Sequence, residues 1–137
     1  MSPTVPAMAQ ARVIYFGLAA IYLVVVVVQF FLAGLGVFGA TDFDSHRVVG
    51  FILGLGSILL LLVALIGRLP RSIALLSVLL LGLNVLQSVL VNIDVEEIEA
   101  LHPVNAVAIV FIAYELMERS RRYLGDRIER ERPVPRV

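Results

Sequence analysis

Residues 48–93 read VVGFILGLGSILLLLVALIGRLPRSIALLSVLLLGLNVLQSVLVNI. Two uncharged runs, Val48 to Gly67 and Ser72 to Ile93, are divided only by Arg68-Leu69-Pro70-Arg71. Each run has the roughly 20 apolar residues that an α-helix needs to cross a bilayer. The basic, proline-containing tetrapeptide between them is too short for anything but a tight turn. The pair therefore reads as a transmembrane helical hairpin with its turn on the cytoplasmic side.

On the N-terminal side, no charge lies between Arg12 and Asp42, and Gln29 is the one strongly polar side chain before Thr41. This run is much longer than the 7–15 residues of a signal-peptide core, so it reads as a permanent span. On the C-terminal side, Pro103 to Tyr114 is only twelve uncharged residues, a length that also suits an interfacial helix. Charge placement decides the question. If this segment crosses, Arg12, Arg68, Arg71 and the tail arginines 119, 121, 122, 127, 130, 132 and 136 share one side. Basic residues close to spans stay in the cytoplasm. The other side then holds Asp42, Asp44, Asp94, Glu96, Glu97 and Glu99 against Arg47.

The expected fold is all-α: an integral membrane up-down-up-down four-helix bundle, N-in and C-in. Its membrane domain covers residues 1–118, with spans at 13–40, 46–67, 71–93 and 100–118. An arginine-rich cytoplasmic tail, 119–137, follows. Glu118–Arg122 and Asp126–Arg130 are helical i,i+4 pairs in that tail, Leu116, Tyr123 and Ile128 mark an apolar stripe, and Pro133 and Pro135 stop the helix.

The whole composition agrees. Hydrophobic residues are 60% and charged residues 16% of 137, with mean hydropathy +0.97, against roughly 45–50% and 25% in soluble domains. A soluble enzyme, a disordered chain and a nucleic-acid binder are excluded on this ground. There is no cysteine, hence no disulfide, thiolate metal site or covalently attached haem. Every basic residue is arginine, as a GC-rich bacterial genome would give, which suggests the bacterial cytoplasmic membrane.

Polar side chains within spans need a reason. His46 and His102 open the second and fourth spans on the same side and are expected to face each other. Gly50 and Gly54 lie below His46 and are expected to pack helices. Gln29, Ser57, Asn84, Gln87, Ser88, Asn92 and Asn105 are expected in the bundle interior, all in the outer half, with an almost wholly aliphatic inner half. Three readings follow. Amides that tie helices together would make a small accessory or structural subunit, bound to the bilayer and to a membrane protein partner or a second copy. His46 and His102 as axial ligands would make a single b-type haem redox protein. The histidines with the outer acids would hold a divalent metal or a proton. No enzyme signature is present.

The stretches QFFLAGLGVFG (29–39), SHRVVGFILGLG (45–56) and ALHPVNAV (100–107) resemble a small bacterial four-span membrane family of unknown function. That likeness, over about residues 12–118, implies four spans and no activity. A looser similarity is to four-helix membrane haem proteins of the cytochrome b561 type, which use comparable HxxxG turns. With two histidines at one surface, it implies at most one haem on the outer side.

Overall fold

The computed structural model describes residues 5–130, with side chains from Met8 to Asp126. The elements are α1 (Val5–Val37), α2 (Asp44–Ile66), α3 (Arg71–Leu90), a single turn α4 (Glu96–Glu99) and α5 (Leu101–Arg130). No strand occurs among the described residues. α1, α2, α3 and the helical segment Glu96–Asp126 are each long and apolar enough to cross a membrane. At 1.5 Å per residue, α3 is about 30 Å long, the thickness of a hydrocarbon core, while α1 reaches about 50 Å.

Short links set the topology. α1 ends in a Schellman turn: Ala40 N–H donates to Leu35 O at 2.9 Å and Gly39 N–H to Gly36 O at 3.1 Å, with Gly39 at φ +70°. α2 ends in the same motif, Leu69 N–H to Ala64 O at 2.9 Å and Arg68 N–H to Leu65 O at 3.1 Å, but here Arg68 takes the left-handed position at φ +48°. Pro70 then caps α3, its carbonyl accepting from Ile73 N–H at 2.9 Å. The first helix thus ends at Val37, and position 40, where the first span was expected to end, lies in the link that follows. The third helix ends at Leu90 rather than 93. The last helix runs without interruption from Leu101 through the charged segment to Arg130. The proposed stop at Pro133 and Pro135, and the side chains of Arg127, Ile128, Arg130, Arg132 and Arg136, lie outside the described residues.

The four long helices pack in the ring α1–α2–α3–α5. α2 and α5 are therefore diagonal, as are α1 and α3. The buried residues step by four, three and four in three of the helices: Tyr15, Ala19, Tyr22 and Val26 in α1; Leu53, Ser57, Leu60 and Ala64 in α2; Ile73, Ser77, Leu80 and Asn84 in α3. Asn105, Ile109, Ala113, Leu116 and Ser120 line α5. This is the narrow seam of a left-handed bundle. The large aliphatic side chains off the seam, such as Ile21, Val24, Phe31 and Phe51, face outward.

Two hydrogen bonds cross the α1–α3 diagonal one heptad apart. Asn84 Nδ2 donates to Tyr22 Oη at 2.9 Å. Tyr15 lies 2.8 Å from Ser77 Oγ, and because Ser77 gives its own proton to Ile73 O at 2.9 Å, the tyrosine hydroxyl donates. The Tyr15–Ser77 bond corrects the expectation of an aliphatic inner half. Both tyrosines rise in the same direction as their partners, so α1 and α3 run parallel.

Candidate functional site

A polar layer lies where α1 ends and α2 and α5 begin; we call this the histidine end. On one side Gln29 of α1 and His46 of α2 exchange bonds. Gln29 Nε2 donates to His46 O at 2.7 Å, and His46 Nδ1 lies 3.2 Å from Gln29 O. A carbonyl only accepts, so Nδ1 carries the proton. Gly50 sits one turn below His46, and a Cβ there would come within 3.0 Å of Gln29 Nε2. The missing side chain is the space that the amide occupies.

On the other side Gln87 of α3 grips α5. Its Nε2 donates to His102 O at 3.1 Å and lies 3.0 Å from His102 Nε2. Its Oε1 accepts from Asn105 Nδ2, which also donates to Leu83 O at 2.9 Å. The His102 carbonyl fixes which end of the Gln87 amide faces His102. His102 Nε2 must therefore accept, and its proton sits on Nδ1.

The two halves meet at the imidazoles. The rings of His46 and His102 are 6.1 Å apart at their centroids, edge to face at 60°. Phe43 packs its ring edge-on against His46 at 6.2 Å. All four long helices thus contribute to one layer. His102 Nδ1 and Gln29 Oε1 are buried in it without a partner, one a donor by the tautomer just derived and the other an acceptor.

Other expected site residues are placed differently. Ser57 is fully buried and bonds back to Gly54 O at 2.7 Å, one turn away on its own helix. Ser88 and Asn92 are exposed, not interior, and bond to the carbonyls four residues back, Asn84 O and Ser88 O. At about 100° per residue, Asn92 lies about 80° round the helix from Asn84, and Ser88 lies about 100° from Gln87. These two turn out of the layer and line an open groove with Val85, Val89 and Ile93. Gly54 is not a packing glycine, since nothing approaches its Cβ position within 4 Å. Gly56 takes that role: a Cβ there would meet the Tyr22 ring at 3.2 Å. Spacing alone favoured the wrong glycine, because Gly56 lies off the ridge read down from His46.

The acids expected on the outer side, Asp42, Asp44, Asp94, Glu96, Glu97 and Glu99, are all exposed. Asp44 pairs with Arg47 at 3.1 Å. Among the described residues no group of three histidines, aspartates or glutamates is gathered as a metal would require, so the reading of His46, His102 and the acids as one metal site falls. The haem reading does not fit either. The His102 Nε2 lone pair already accepts from Gln87, and both rings are tied to neighbouring helices at edge contact. A flat macrocycle between them would break the Gln87 grip and part the helices.

The opposite end gathers arginines. Arg12 stacks its guanidinium 5.3 Å from the Tyr123 ring, which joins α1 to α5. Glu115 pairs with Arg119 at 2.9 Å, and Glu118 with Arg121 at 2.7 Å and with Arg122 at 2.8 Å. Arg68 and Arg71 lie at this same end, in the α2–α3 turn and at the start of α3.

Residues 29–93 match a family of unknown function, DUF6220. The matched stretch takes in the end of α1, the α2–α3 hairpin and hence Gln29, His46, Gly50 and Gln87, but not His102 or Asn105. No curated protein and no solved structure matches the chain. The likeness to b561-type haem proteins therefore rests on nothing beyond the HxxxG turn, and a bacterial origin on nothing beyond arginine usage.

Proposed function

We propose that this chain is a non-enzymatic accessory or structural subunit of a membrane assembly. It would sit in the bacterial cytoplasmic membrane with both termini inside and the histidine end outside. The observation that carries the reading is the use made of the polar side chains. Gln29, Gln87, Asn105 and both histidines bond between helices, which leaves them engaged in holding the bundle rather than placed around a reacting group. Charge segregation supports the orientation, with arginines at one end and six exposed acids against Arg47 at the other. The lipid bilayer covers the outward aliphatic faces, and a membrane partner or second copy covers part of them.

The reading is tested by particle mass. The tagged chain, expressed at its native level and extracted in lipid nanodiscs, is expected to appear in particles that hold more protein than one 15.0 kDa chain. Single-chain particles throughout would overturn it.

A further inference from the structure

We propose that the His46–His102 pair is a proton-binding site whose occupancy releases the histidine end of the bundle. The inference goes beyond the assembly role and stands without it. It begins from the tautomers, which the hydrogen bonds fix. Gln87 Nε2 gives one proton to the His102 carbonyl and turns the other toward His102 Nε2. The contact with the ring exists only while His102 is neutral. A proton taken up at Nε2 sets N–H against N–H, so one of the contacts between Gln87 and α5 becomes repulsive while the bonds to the His102 carbonyl and from Asn105 must bear the strain.

The second ring makes release cooperative. A proton on His46 adds its charge 6.1 Å from the other imidazole. Both rings sit in the first turns of their helices, near the positive ends of the helix dipoles. Among the described residues no buried carboxylate answers the new charge. α1 carries no charged residue between Arg12 and its end, and α3 none after Arg71. α5 carries none from Leu101 to Tyr114. α2 offers Asp44 and Arg47, exposed and paired with each other, and α4 offers Glu96, Glu97 and Glu99, all exposed. Asp42 and Asp94 in the links are exposed too. Gln29 Oε1 and His102 Nδ1 also lie in this layer with no protein partner among the described residues.

The test reads the separation of α2 and α5 across the diagonal. Val48 and Val104 lie two residues beyond the two histidines, both are exposed, and the described chain has no cysteine. Spin labels on Val48→Cys and Val104→Cys in the full chain, in nanodiscs, give the distance. It is expected to be short and narrowly distributed at about pH 8, and longer and broader at about pH 5, the window in which histidine titrates. His102→Gln puts an amide oxygen that does not titrate within reach of Gln87, and is expected to keep the short distance at both pH values. Gln87→Leu is expected to give the long, broad distribution at both. An unchanged distance in the native pair, a pH response that survives in His102→Gln, or a short distance in Gln87→Leu would each overturn the proposal.

Discussion

Gln87 shows how one amide can join two helices. It donates twice to His102 and accepts from Asn105, so its loss strips α5 of contacts at three atoms. Hydrogen bonds between transmembrane helices are worth about 0.6 kcal/mol on average and up to about 2. Gln87→Leu should therefore lower stability by about 1–3 kcal/mol in reversible SDS unfolding. Tyr22→Phe removes only the acceptor of one Asn84 bond, since Asn84 still donates to Leu80 O at 2.8 Å. Its expected cost is about 0.6 kcal/mol, and a double-mutant cycle with Asn84→Ala should show coupling of that order. At this scale the sequence was half legible. Polar side chains in hydrocarbon must find partners, which picked out Gln29, Asn84, Gln87 and Asn105 as residues that need them. Ser88 and Asn92 escaped the rule, because each satisfies itself on the carbonyl four residues back while facing outward.

Among helices, packing depends on which small residue lies on the seam. Gly56→Val pushes a side chain into Tyr22, whose ring atoms would stand 3.2 and 3.3 Å from the new Cβ. The expected cost is about 1–3 kcal/mol. Gly54→Ala meets nothing and should be neutral or stabilising by up to about 1 kcal/mol, because alanine is the better helix former. Equal effects of the two substitutions in the same unfolding assay would contradict this assignment of the seam. Arg68 is a different case. It holds a left-handed conformation at φ +48° in the α2–α3 turn, which costs a non-glycine residue roughly 1–2 kcal/mol. Arg68→Gly should raise stability by about 0.5–1 kcal/mol, as glycine relieves that strain but loses more entropy on folding. The helices themselves could be read from charge spacing. The seam could not, because a bundle in lipid is apolar on both faces. What marks the inside is small and hydroxyl-bearing residues at four-three-four spacing: Ala19, Ser57, Ala64, Ser77, Ala113. Tyr15 and Tyr22, seven apart and opposite Ser77 and Asn84, were the available signal for the two bonds that cross the bundle.

The whole molecule is polarised end to end, with acids around the histidine layer and arginines around Tyr123. In intact cells, labels on Phe43→Cys and Glu97→Cys should react from outside, and Asp126→Cys should not; external labelling of residue 126 would reverse the orientation. Charge segregation made the four long helices and their alternation readable, including the weak fourth one, which carries Glu115, Glu118 and five arginines within Leu101–Arg130. The facing of His46 and His102 was readable from their places at the heads of two helices, but the partner of each amide was not. It depends on which way each amide turns, and that is set by carbonyls on neighbouring helices. The central claim is that four spans bring two histidines 56 positions apart into one layer, with ring centroids 6.1 Å apart. These are the only two histidines in the chain, so selective labelling is unambiguous. In bilayers, protein labelled with 13C and 15N at histidine and diluted into unlabelled protein should show an inter-ring correlation between His46 and His102 by solid-state NMR at long mixing. Two histidine spin systems with no correlation between them, under conditions that detect other contacts of similar length, would contradict the account.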